Sequence, residues 1–217
     1  MRDAYHKHLD WLHRELIHMG ALCEDAIASA VQGLLEDKPA MREKAVALEK
    51  EIDLKERELE TFCIRLILRE QPVAGDLRQI IAAQKMIADM DRIGDQAADI
   101  AVLSRFFSGN GGGVPLSVPI ADMAEAAAKM LANSVDAFIA ADLETARAVI
   151  AFDDVVDALF LKIKGNLIAI IAQDPLSGER CLDVLMIAKY LERIGDHARN
   201  IAKWVEYSIT GQRGSPA

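Results

Sequence analysis

Aromatic residues make up only 5% of this 217-residue chain. Sheet sandwiches and barrels draw heavily on aromatic and β-branched side chains. Their shortage here, with Ala, Ile and Leu supplying most of the apolar content, points to closely packed helices. Prolines number six, few enough for long uninterrupted helices. The cysteines, Cys23, Cys63 and Cys181, are isolated and odd in number. No Cys-x-x-Cys pair occurs, so neither a thiolate zinc site nor a disulfide framework is expected. Buried, reduced thiols in a reducing compartment are the simpler reading. There is no basic tract, and the formal net charge is −9, which argues against direct nucleic-acid binding. No apolar run approaches the roughly 20 residues of a membrane span, and the N-terminal MRDAYHKHLDWLHREL is charged and amphipathic, unlike a signal peptide. The expectation is a soluble, cytoplasmic protein with no membrane span of its own.

What the chain does have is a hydrophobic fraction of 52%, enough for a substantial core, arranged at helical spacing. Leu9, Leu12, Leu16, Met19, Cys23, Ile27, Ala30 and Leu34 recur at steps of three and four, so a first helix is expected from about Ala4 to Glu36. Pro39 suits the first turn of a second helix, running to about Arg69 with Leu48, Ile52, Leu59, Phe62 and Leu66 inside. A third starts near Gly75-Asp76, with Asp76 as a candidate N-cap, and runs to about Phe107. Four glycines between 109 and 113 interrupt any helix. Ser117-Val118-Pro119 then opens a helix to about Ala140, Asp142 caps the next to about Ala172, and the last runs from Ser177 or Gly178 to about Ile209. The predicted fold class is all-α: two tandem, repeat-related three-helix bundles with six long antiparallel helices. Their boundaries are 1–108 and 117–210, with a glycine-rich linker at 109–116 and a disordered tail at 211–217.

One motif occurs twice. Residues 90–101 read MDRIGDQAADIA and residues 191–202 read LERIGDHARNIA, 101 positions apart. Spacing of four puts Asp91, Asp95 and Asp99 on one helix stripe, and Glu192, Asp196 and Asn200 on its counterpart. Like charges at this spacing cost a few tenths of a kcal/mol per pair, about 0.2–0.5, so a counter-cation is expected. On a helical wheel Gly94 and Ala98 separate the first stripe from the core face, which would let a neighbouring helix approach; in the second copy Gly195 recurs but Arg199 replaces Ala98. The second helix of each half offers partners at the same spacing, Glu49 with Asp53 and Asp153 with Asp157. Carboxylate-only patches select hard or borderline cations such as magnesium, manganese or iron. The competing reading is a solvated face, with the acids paired to Arg92, Arg193 and lysines. A glycine inside a helix costs roughly 1 kcal/mol against Ala, and a solvated face gives no reason to repeat it. Glu56, Glu58 and Glu60 read as solvated face. His197 falls too far round the wheel to join the second stripe. His6, His8, His13 and His18 read as surface or packing residues, and Trp11 and Trp204 as packing near bundle ends.

The strings DMDRIGDQAADIA and YLERIGDHARNIAKWVEY resemble the signature of the PhoU family of phosphate-uptake regulators, and the likeness covers nearly the whole chain. Asp91 stands where Glu is more usual, and Asn200 departs from an all-acid pattern. The resemblance implies an adaptor without catalytic chemistry, coupling the ATPase subunit of a phosphate ABC transporter to a phosphate-responsive sensor histidine kinase and holding the starvation response off when phosphate is abundant. It implies metal ions, iron or zinc in some members and magnesium or manganese in others, on Glu49, Asp53, Asp91, Asp95 and Asp99 in the first half. In the second half they fall on Asp153, Asp157, Glu192, Asp196 and Asn200. A homodimer would suit such long amphipathic bundles. Two other readings remain open: a metal-free helical scaffold, and a carboxylate-bridged di-metal oxidase. The latter needs Glu-x-x-His on two helices of a four-helix bundle, a pair the chain does not supply.

Overall fold

In the computed structural model, residues 2–107 and 118–212 are described. The first half contains α1 (Arg2–Leu35), α2 (Pro39–Glu70) and α3 (Gly75–Leu103), the last closed by a 3-10 turn at Ser104–Phe107. The second contains α4 (Ile120–Ala140), α5 (Leu143–Gln173), a 3-10 turn at Pro175–Ser177, and α6 (Gly178–Thr210). No strand occurs among the described residues. The expected linker 109–116 and the tail beyond Gln212 lie outside them.

Local signals account for most boundaries. Pro39 stands in the first turn of α2, where its missing N–H is no loss. Asp142 caps α5: its carboxylate accepts from the backbone N–H of Glu144 at 3.0 Å and of Thr145 at 3.1 Å. Asp76 does not cap α3. Ala74 holds the N-cap position with φ 49° and no side-chain cap bond, and Asp76 lies inside the first turn, where its charge faces the helix N-terminus. α4 begins at Ile120, one residue beyond Pro119, which serves as its N-cap residue.

Each half packs as a three-helix bundle: α1 with α2 and α3, α4 with α5 and α6. The two halves are not beads on a string. α3 lies along α6 as the broadest helix pair of the molecule, and α1 packs on α4. One continuous core results, from Leu12, Leu16 and Met19 of α1 to Ile187, Leu191 and Ile194 of α6. Full burial of each such side chain contributes about 1.5–3 kcal/mol. At the seam, Gly20 of α1 leaves room for Val135 of α4, whose Cγ2 would lie 3.4 Å from an added Cβ. His13 packs edge-on against Phe138 with ring centroids 5.7 Å apart. Burial lowers the pKa of His13. On the other seam, Nδ1 of His197 (α6) is 2.8 Å from Oδ1 of Asp89 (α3). His197 thus joins the two repeats.

Candidate functional site

The duplicated glycines have a steric reason. An added Cβ on Gly94 would stand 3.0 Å from Cδ1 of Ile52, and one on Gly195 would stand 3.1 Å from Cγ1 of Val156. Each lies tighter than ordinary van der Waals contact, so the glycines let α2 approach α3 and α5 approach α6. This close approach is what brings the acid pairs of neighbouring helices together.

In the first repeat Glu49, Asp53, Asp91 and Asp95 form one electrostatic neighbourhood. The Glu49 carboxyl is pushed up by burial first and then by Asp95, Asp53 and Asp91. The Asp91 carboxyl is pushed up by burial, then by Asp95 and Asp53, with Arg92 and Arg57 opposing. Glu56 belongs to the same group: it is half-buried, and burial followed by Asp91, Glu60 and Asp53 raises its pKa. The solvated-face expectation for Glu56 is thereby corrected; its spacing of seven from Glu49 and three from Asp53 was the available signal. Asp99 sits at the rim. It is exposed, its carboxyl raised by burial and Asp95 and opposed by Arg193 of the other repeat. Two exposed arginines attend the patch, Arg57 on Asp53 at 2.9 Å and Arg92 on Asp95 at 2.8 Å.

The second patch is built differently. Asp153 is only 4% exposed. Its carboxyl is raised by burial first, while Arg199 pulls it back and Asp157 and Asp196 push it up again. The Arg199 guanidinium bridges helices, donating through Nη1 to Asp153 and lying with Nη2 3.0 Å from Asp196. Lys189 donates to Glu192 and places its Nζ 5.5 Å from the centre of the Phe160 ring. Asp157 is exposed and Asn200 half-buried. Arg199, which replaces the small Ala98 of the first copy, thus inserts a cation between Asp153 and Asp196.

Among the described residues, no three His, Cys, Asp or Glu side chains close into a ready metal cage as they stand. The donors gathered in the first patch are carboxylate oxygens without nitrogen or sulfur, a set that suits a hard divalent cation. A single Glu-x-x-His is present, Glu15 with His18 on α1, their Oε2 and Nδ1 4.0 Å apart. Glu15 is engaged by Lys55 at 2.9 Å, and no second copy faces it, so the paired di-metal arrangement is absent from the sequence. All three cysteines are free and buried. No helix among the described residues is long and apolar enough to cross a membrane.

The PhoU domain family model matches the chain twice, over residues 16–103 and 120–205, one match per bundle. The chain is 31% identical over 209 residues to the phosphate-specific transport system accessory protein PhoU homolog of Pseudomonas putida, covering 96% of this chain and 82% of that one. The homolog of the same name in Clostridium acetobutylicum is 33% identical over 213 residues, covering 98% and 97%. Among solved structures, PhoU from Pseudomonas aeruginosa superposes with a TM-score of 0.90 at 31% identity, over 96% of this chain and all of that one.

Proposed function

The chain belongs to the PhoU family, and on that footing we propose that it is a cytoplasmic accessory protein that regulates phosphate uptake. It contacts the ATPase subunit of a phosphate-specific ABC transporter and a phosphate-responsive sensor histidine kinase, and it restrains uptake and the starvation response when phosphate is abundant. It does this by binding, not by catalysis. The observation that carries the reading is the two-repeat match to relatives named as accessory proteins of phosphate-specific transport, over 96% and 98% of this chain.

The same reading extends to metal. Glu49, Asp53, Asp91 and Asp95, with Glu56 beside them and Asp99 at the rim, are the residues that would hold a divalent cation in the first repeat. Support comes from the raised carboxyls of Glu49, Glu56 and Asp91, lifted by burial first and then by neighbouring carboxylates: such groups gain from a counter-cation. An oxygen-only donor set favours magnesium, manganese or ferrous iron over zinc, whose sites usually recruit Cys or His. A bound cation would offset the carboxylate repulsion between α2 and α3 and hold the first bundle in one shape for its partners. In the second repeat Asp153, Asp157, Glu192, Asp196 and Asn200 occupy the corresponding positions, but Arg199 already pairs with Asp153 and Asp196, and Lys189 with Glu192.

The regulatory reading is tested by expressing the chain in a bacterium lacking its own PhoU homolog and reading a starvation-responsive promoter in high phosphate. Restored repression, with co-purification of the transporter ATPase subunit and the kinase, supports it. Promoter activity that stays high, with neither partner retained by correctly folded protein, overturns it.

A further inference from the structure

The two repeats differ at the positions that decide their charge. The 101-residue offset between the motif copies aligns Ala88 with Lys189 and Ala98 with Arg199. The 104-residue offset between Glu49/Asp53 and Asp153/Asp157 aligns Glu56 with Phe160, and Asn200 stands opposite Asp99. The second patch has therefore exchanged two acids for an amide and a ring, and two alanines for cations. Both cations are in use. Arg199 spans from Asp153 on α5 to Asp196 on α6, and its Nε is enclosed without an acceptor among the described residues. Lys189 rests between Glu192 and the face of Phe160. A planar guanidinium that donates to two carboxylates from adjacent helices does what a bridging cation does.

We infer that the second patch is closed to divalent cations by its own side chains: Arg199, held on the buried Asp153, and Lys189 stand where the first repeat has alanines, and the first repeat pairs its acids with Arg57 and Arg92, which are exposed. The inference rests on the cation reading of the first patch, and it assigns the two repeats different roles: an exchangeable site between α2 and α3, and a permanent internal ion bridge between α5 and α6. Ejecting Arg199 to admit a metal would leave its guanidinium without carboxylates in a half-enclosed position, a strong bias against exchange.

The test is Mn2+ uptake by the chelator-stripped full chain, followed by loss of the free Mn2+ signal in electron paramagnetic resonance. The variants are Asp91→Asn/Asp95→Asn, Asp153→Asn/Asp196→Asn, Arg199→Ala and Arg199→Lys. The expected result is that the second pair of substitutions leaves wild-type uptake unchanged. Arg199→Ala, which installs the residue of the first repeat, gains a new class of Mn2+ site that Asp196→Asn removes again; Arg199→Lys, which keeps a cation, gains none. Arg199→Ala should also melt lower than wild type in chelator and recover on adding Mn2+, a response read even where the variant is weakened. Loss of wild-type uptake on Asp153→Asn/Asp196→Asn, or an Arg199→Ala protein whose uptake and melting respond to Mn2+ only as the wild type does, overturns the inference. Wild-type uptake that is absent or insensitive to Asp91→Asn/Asp95→Asn would instead sink the reading of the first patch, and the gain on Arg199→Ala would still decide this one.

Discussion

Gly94 and Ile52 meet so closely that even a methyl between them would force Ile52 to give way: a Cβ on Gly94 would lie 3.0 Å from Cδ1 and 3.2 Å from Cγ2 of Ile52. Ile52 is itself fully buried between Glu49 and Asp53 of α2, so one contact sets the distance between the acid pairs of α2 and α3. The same relationship recurs between Gly195 and Val156. The helix glycines are spacers for the carboxylate patches.

Gly94→Ala would gain about 1 kcal/mol of helix propensity and lose about 1–3 kcal/mol to overpacking against a buried β-branched side chain. The net expectation is a destabilised protein with weakened Mn2+ binding, measured by urea unfolding and metal titration. Gly165 of α5 is the control, because an added Cβ meets nothing within 4 Å. Gly165→Ala should stabilise the chain by about 0.5–1 kcal/mol. Equal responses at the two positions would show that the close approach at Gly94 has no energetic weight.

The raised carboxyls should make the metal-free protein less stable as pH rises above the ordinary carboxylate range, while His13, whose pKa burial lowers, favours the opposite trend just below its own ordinary value. The carboxyls of Glu49, Glu56, Asp91, Asp99 and Asp153 all titrate higher in the folded chain than is usual, chiefly through burial. Between the unfolded and folded pKa of such a group the native state binds more protons, so stability falls as pH rises through that window and stays reduced above it. Asp142 titrates lower than usual because it accepts hydrogen bonds from Thr145. Its contribution is lost only in more acid solution, below the ordinary carboxylate range. Melting in chelator at about pH 5, 6 and 7 checks this. A metal-free pH dependence that is the same in wild type and in Asp91→Asn/Asp95→Asn contradicts it, whereas added Mn2+ should stabilise most at about pH 7, where the acids are ionised.

Asp142→Ala should cost about 1 kcal/mol through loss of the α5 cap. The bonds removed are those to the backbone of Glu144 and Thr145 and the 2.6 Å bond from Thr145 Oγ1. Asp76→Ala, which removes a first-turn charge without a cap bond, should cost less, about 0.3–1 kcal/mol. Chemical denaturation of the two variants side by side distinguishes a hydrogen-bonded cap from a dipole contact.

The cysteines should be inert in the native state. Burial pushes the Cys63 thiol up to about 12, and raises that of Cys23 as well. Thiolate is the reactive form, so labelling by an aromatic disulfide at about pH 8 should proceed only through opening of the fold. Its rate should then rise with urea in step with unfolding. Fast labelling of Cys63 in native protein would contradict the packing of α2 against the core.

Helix order, the Asp142 cap, Pro39 in a first turn and the twin acid stripes were legible in the chain because each rests on spacing within one helix, where 3.6 residues per turn dictates which side chains are neighbours. Glu56 stands three residues from Asp53 and seven from Glu49, so its side of α2 was legible; its burial was not. Its burial depends on how closely α3 approaches, a distance set by Gly94 against Ile52 and not by anything in α2 alone.

By itself, then, the sequence determined six amphipathic helices in two related sets and a duplicated row of acids on the third helix of each. Only the tertiary structure decided that α3 lies along α6 in one shared core, that His197 reaches Asp89 across the seam, and that Arg199 spans from Asp153 to Asp196 while Ala98 leaves the first patch open. The physical reason is one of range. Periodicity along a chain places side chains on a face within a turn or two, but what that face meets depends on the approach of a helix tens of residues away, settled by packing across the whole core.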